Sequence, residues 1–135
     1  MSNKASTDLV EIEYRDNDRI QVIHFNGMTR EAVDLYVKTI QTEIVDKESS
    51  LLLSVHDYSQ VGGTITPYFI GRIKEFSGDK MRNDTYGRVA VVTSRDIFRF
   101  MLNPVLRLFT RNDKLSIQFF SSLDQAVQWV SEYED

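Results

Sequence analysis

Side chains able to carry chemistry fall at the ends of apolar runs: His24, His56, Asp57, Ser94, Ser121 and Ser122. A serine with a histidine and an aspartate supplies the parts of a nucleophilic hydrolase. Two histidines with an aspartate could instead hold a metal ion. His24 and His56 are the only histidines, and neither chemistry has its usual spacing here. There is no Gly-x-Ser-x-Gly elbow and no ligand spacing that demands a metal. The competing reading is a set of satisfied polar strand ends, so no metal, no cofactor and no catalytic residue is assigned.

A second candidate is the turn Gly62-Gly63-Thr64-Ile65-Thr66-Pro67. Its glycines let the backbone approach a ligand, and amides at the following helix start could donate to a phosphate or carboxylate. Gly62, Gly63, Thr64 and Thr66 are therefore candidates for an anion or phosphorylation loop. The spacing and lysine of a P-loop are missing, and the alternative is a plain turn with a helix cap.

The third candidate is Arg95–Arg111. Arg95, Arg99, Asn103, Arg107 and Arg111 recur every four residues and form an inclined polar ridge on a helix. Ile97, Phe98, Met101, Leu102, Val105, Leu108 and Phe109 occupy the opposite side and suffice to dock it. Phe100 and Leu106 fall among the arginines. Arginines mixed with large apolar groups suit an acidic protein or an anionic lipid surface, where each basic group contributes about 1 kcal/mol. A kink at Pro104 would rotate the two halves and could return Phe100 or Leu106 to the core.

The elements that must position these groups are legible from periodicity. Asp8–Arg15 alternates as a half-exposed strand, Asp16-Asn17-Asp18 supplies a turn, and Ile20–Phe25 completes a hairpin. Thr29 caps a helix with Val33, Tyr36, Val37, Ile40 and Ile44 on one stripe. Ser50–Asp57 reads as a strand covered on both faces. Thr66-Pro67 starts a helix with Phe69, Ile70, Ile73 and Phe76 inward, which Gly78-Asp79 should end or loosen. Arg88–Thr93 and Leu115–Phe120 read as strands, with Arg95–Arg111 helical between them. Ser122 opens a closing helix through Leu123, Ala126, Val127 and Val130. Trp129 and Tyr133, off that stripe, suit either a homodimer contact or a cover for the domain's own edge.

This β-β-α-β-α-β-α-β-α order predicts a single α/β domain over residues 1–135. It has a mainly parallel five-stranded sheet, an antiparallel first strand and about four helices, with residues 1–7 as a flexible start. The sequence Gly87-Arg-Val-Ala-Val-Val-Thr-Ser94, with Phe119-Phe-Ser-Ser-Leu-Asp-Gln-Ala-Val-Gln-Trp-Val130, resembles the SpoIIAA-like proteins over roughly Leu9 to Ser131. That group is related to the STAS domains of sulfate transporters and anti-sigma-factor antagonists and is described as STAS/SEC14-like. The resemblance implies a STAS-like fold without a catalytic signature. Phosphorylatable antagonists of the wider group open their second helix with Asp-Ser-Ser-Gly. Here the loop is Val61-Gly-Gly-Thr-Ile-Thr-Pro67, without the serine pair, so the resemblance does not carry a phospho-switch over.

Composition narrows the classes further. The chain has 135 residues, no cysteine, 41 % hydrophobic and 27 % charged residues, and a net charge of −4. Disulfides, thiolate zinc sites and cysteine nucleophiles are excluded. An acidic total without an aromatic RNA platform disfavours nucleic acid. No apolar run is long enough to span lipid, and the start lacks a secretory signal, so a cytoplasmic setting is expected. The charge is nonetheless polarised: Pro67–Lys114 holds ten cations against five anions, +5, and the remainder holds −9. A basic sector on an acidic protein is a surface for an anionic partner.

These readings predict a non-catalytic binding or regulatory module. Its basic helix, through Arg95, Arg99, Phe100, Asn103, Leu106, Arg107 and Arg111, would engage an acidic protein or, at the inner membrane surface, lipid headgroups. The alternative, from the SEC14-like resemblance, is a carrier of a small lipid-like ligand held between the Pro104-kinked helix and the sheet. An enzyme built on His24, His56 and Asp57 is the third.

Overall fold

The computed structural model describes residues 9–45, 50–61, 65–80, 85–94, 96, 99, 100, 103 and 114–134. The strands are β1 (Val10–Arg15), β2 (Ile20–Phe25), β3 (Leu51–Asp57), β4 (Tyr86–Val92) and β5 (Leu115–Phe120). They form one sheet in chain order, β1-β2-β3-β4-β5. β1 pairs antiparallel with β2, and the other neighbours pair in parallel. The architecture is the expected mixed α/β sheet, and the β2 and β5 boundaries coincide with those read from the sequence.

The β1–β2 hairpin turns through Asp16, Asn17 and Asp18, all with positive φ (57°, 57° and 65°). Asp and Asn are the non-glycine residues that best tolerate this left-handed region, because their short polar side chains bond locally. The turn is closed by the Arg19 amide donating to the Asp16 carbonyl at 3.2 Å.

Helix α1 (Arg30–Ile40) is capped by Thr29, whose hydroxyl accepts from the Ala32 amide at 3.2 Å. A π-helical turn, Gln41–Val45, extends it, so Ile44 lies in that turn and packs partly buried against the core. Helix α2 (Pro67–Lys80) begins where Thr66-Pro67 places it, with the Thr66 hydroxyl accepting from the Phe69 amide at 3.2 Å. It runs through Gly78 and Asp79 rather than ending there. Helix α3 (Leu123–Ser131) is capped by Ser122.

Three α-helices are thus delimited among the described residues, against about four expected. Most of Arg95–Arg111 lies outside the described residues; Asp96, Arg99, Phe100 and Asn103 are described and are helical. The expected flexible start, residues 1–7, and the side chain of Phe76 also lie outside them. No helix among the described residues is long and apolar enough to cross a membrane.

Side chains alternate across the sheet, so each strand feeds two cores. On one face Val10, Ile23, Phe25 and Val91 pack against Ala32, Val33, Tyr36, Val37 and Ile40 of α1 and Phe69 and Ile73 of α2. On the other, Ile20, Val22, Leu53, Val55, Ala90 and Val92 pack against Ala126 and Val130 of α3. Coverage on both faces explains the continuous apolar runs of β2, β3 and β4.

Gly87 allows the middle of the sheet to close. Its φ is +134°, and a Cβ there would lie 2.1 Å from the Leu52 carbonyl oxygen of β3.

Candidate functional site

The parallel strands end together, and the edge they share gathers the polar residues singled out above. His24 and Asp57 are register partners across β2 and β3, and Glu11 is paired with His24 across β1 and β2. All three lie on the α3 side of the sheet. His24 Nδ1 stands 2.8 Å from Asp57 Oδ2, and His24 Nε2 stands 2.7 Å from Glu13 Oε1. The Asp57 carboxylate is nearly buried, and its other oxygen accepts from the Ser59 amide at 2.9 Å. Glu13 is more open and is also paired with Arg15 at 3.2 Å. Glu11, His24, Asn26, Asp57 and Gln60 line an open pocket of about 430 Å³.

The electrostatics follow from the contacts. The Asp57 hydrogen bond raises the His24 titration, burial opposes it, and Glu13 adds to the rise. Burial alone would raise Asp57, but its bonds from His24 and Ser59 outweigh that and hold it below the ordinary carboxylate range. Glu13 is lowered in the same way, with His24 and Arg15 outweighing burial. Both nitrogens of His24 are thus committed to carboxylates. Only a ring that has lost one of its two protons would have a lone pair to take a proton from a substrate, which is what a general base must do.

His56 does not join this cluster. As the chain neighbour of Asp57 it points to the opposite face, because successive strand residues alternate. There its Nδ1 lies 2.6 Å from the Tyr36 hydroxyl and its Nε2 2.9 Å from Ser54 Oγ. The Tyr58 hydroxyl donates in turn to Tyr36 at 2.9 Å. Burial lowers the His56 titration to about 4, so the ring is neutral. The grouping of His24, His56 and Asp57 is therefore corrected: the sheet itself separates one histidine from the other two residues. Among the described residues no group of three or more metal-ligating side chains is arranged to hold a metal ion.

The residue missed in the sequence was Glu13. Counting outward from the Asp16–Arg19 turn pairs Arg15 with Ile20, Glu13 with Val22 and Glu11 with His24. That count would have put both acids on the His24 face.

The helical segment after β4 presents a different surface. Phe100 is 77 % exposed and is the exposed large hydrophobic residue among those described. Asp96 and Asn103, one turn to either side, are also exposed. Arg99 turns back: its guanidinium donates to the Thr93 carbonyl at 3.2 Å and lies 5.9 Å from the centre of the Phe119 ring. The other members of the expected surface, Arg95, Leu106, Arg107 and Arg111, lie outside the described residues. So do Gly62, Gly63 and Thr64 of the glycine turn. Thr66 is described, and its hydroxyl serves as the cap of α2.

Trp129 and Tyr133 cover their own domain. The Arg88 guanidinium lies 4.8 Å from the Trp129 ring centre and 5.9 Å from that of Tyr133, and it donates to the Trp129 carbonyl at 2.6 Å. Phe120 also packs against Trp129, with ring centres 5.5 Å apart. Within the chain the pair thus covers the domain's own edge, as one of its two readings expects.

Comparison with known proteins agrees with this fold. A family model described as SpoIIAA-like matches residues 19–131. An uncharacterised protein of the DUF3478 family from Shewanella loihica PV-4, with a SpoIIAA-like fold, is similar at a TM-score of 0.64 and 15 % identity, over 90 % of this chain and 91 % of that one. An anti-sigma factor antagonist from Mycobacterium paratuberculosis is similar at a TM-score of 0.58 and 15 % identity, over 98 % of this chain and 100 % of that one. No curated protein sequence matches the chain.

Proposed function

The chain belongs to the SpoIIAA-like family, and from that premise we propose that it is a non-catalytic regulatory module that binds an acidic protein partner through Phe100. The observation that carries this reading is the exposure of Phe100, 77 %, on a helical segment whose neighbours Asp96 and Asn103 are also exposed. A phenylalanine held in water forgoes the roughly 1.5–3 kcal/mol that its burial would contribute, and aromatic side chains of this kind anchor protein interfaces.

Two further observations support it. The excess of cations between Pro67 and Lys114 surrounds Phe100 in the sequence and favours an acidic partner over a basic one. The anti-sigma factor antagonist from Mycobacterium paratuberculosis, which shares the fold, is by its name a regulator that acts on another protein.

The test compares capture of a native partner by the wild-type chain and by Phe100→Ala. Truncation should weaken capture about tenfold or more, the effect of losing one buried aromatic anchor. Flotation with vesicles of anionic phospholipid at low salt should recover neither protein. Equal capture by the two chains, or flotation that depends on Phe100, would overturn the reading.

A further inference from the structure

We propose that His24 is a proton-dependent clasp that ties the edge strand β1 to β3 across β2, closed when the ring carries both protons and released on the β1 side when it loses one. The argument is stoichiometric. Carboxylate ions only accept hydrogen bonds, so contacts of 2.8 Å to Asp57 and 2.7 Å to Glu13 both require an N–H on the ring. A neutral imidazole has one N–H. In either tautomer the other nitrogen would turn a lone pair toward a carboxylate oxygen, and that contact is repulsive.

The two partners are not equivalent, and this sets which side opens. Asp57 is nearly buried and is held from behind by the Ser59 amide, so it has little freedom to move away. Glu13 stands on an edge strand, is partly exposed, and has Arg15 as an alternative partner at 3.2 Å. On loss of a proton the ring keeps Nδ1–H on Asp57 and gives up Glu13. The pocket lined by Glu11, His24, Asn26, Asp57 and Gln60 then becomes more negative by one charge.

Among the described residues, the charged groups around the ring are Glu11, Glu13 and Arg15 from β1 and Asp57 from β3. Asp124 stands exposed in the first turn of α3, which covers this face. Asp57 and then Glu13 raise the ring's titration against the effect of burial, which brings the release above the ordinary histidine range of about 6.5. The clasp is independent of the Phe100 surface, and its failure would leave that reading standing.

The test is a pH titration of the full chain by NMR, read at the His24 ring and at the backbone amides. His24 should titrate above about 6.5, with both ring nitrogens protonated below that point. Above it, amide exchange in β1, corrected for the intrinsic effect of pH and referred to β4, should accelerate on the order of tenfold, the scale of one charge-assisted hydrogen bond. Glu13→Gln, a change on the edge strand that keeps the fold, should lower the His24 titration and remove the step in β1 exchange. The clasp is overturned if His24 titrates at or below the ordinary value, or if β1 shows the same step in Glu13→Gln as in the wild type.

Discussion

The Tyr36 hydroxyl sits 2.6 Å from His56 Nδ1 in the buried layer between α1 and the sheet. The Tyr58 hydroxyl donates to Tyr36, so the Tyr36 proton is directed to the ring and His56 must carry its own proton on Nε2, facing Ser54. The chain of donors runs in one direction, and its members are not interchangeable.

Tyr36→Phe keeps the ring that stacks on Phe25 at 4.4 Å but leaves His56 Nδ1 and the Tyr58 hydroxyl without their partner. The expected cost is about 1–3 kcal/mol, the penalty for stranding buried polar groups. Tyr58→Phe removes only the donor at the end of the chain and should cost about 1 kcal/mol. Urea unfolding of the two variants measures the order, and a larger loss in Tyr58→Phe would contradict the assigned direction.

The two histidines link stability to pH with opposite signs. His56 is lowered from 6.5 to about 4 by burial. The unfolded chain therefore binds its proton first as the pH falls. The stability that neutral His56 provides is complete above about 6.5 and is lost as the pH drops from there to about 4, at roughly 1.4 kcal/mol per unit. The total is about 3 kcal/mol. His24 is raised, so its contribution is complete below about 6.5 and is lost as the pH rises through its folded value. Urea midpoints measured across this range should fall on the acid side, and His56→Gln should flatten that limb. An unchanged acid limb in that variant would assign the loss to other groups.

Of the described glycines Gly27, Gly71 and Gly87, Gly87 is the least able to accept a side chain. Alanine there would meet the Leu52 carbonyl at 2.1 Å with φ at +134°, so β3 and β4 would have to separate. Gly87→Ala should cost roughly 3 kcal/mol or more, within reach of the whole stability of a domain this size. Gly71→Ala, at a helical position with nothing near its added Cβ, is the control and should be neutral or slightly stabilising. Circular dichroism melts distinguish them, and similar midpoints for the two variants would refute the steric argument.

Phe100 and Phe25 make a matched pair. Phe25 is fully buried in the α1–α2 core, and Phe25→Ala should cost about 3–5 kcal/mol. Phe100 is exposed, so Phe100→Ala should change stability by no more than about 0.5 kcal/mol. Chemical denaturation of both variants checks this. A large loss for Phe100→Ala would mean that its side chain supports the fold.

What the sequence determined by itself is local. The alternation of Leu9 to Tyr14, the stripe Val33–Tyr36–Val37–Ile40 and the caps Thr29, Thr66 and Ser122 depend on neighbours within a few residues, and the structure keeps all of them. Even the opposite fates of His56 and Asp57 follow from the period of a strand. Which groups meet across strands was decided only by the tertiary structure. Glu13 and Asp57 are forty-four positions apart in the chain and meet on His24 because the hairpin register and the β2–β3 register bring both to one nitrogen each. Arg99, read as part of an outward ridge, turns its guanidinium to the Thr93 carbonyl at the end of β4. A helical wheel gives the direction of a Cα–Cβ bond, whereas a long side chain ends where the folded chain offers it an acceptor.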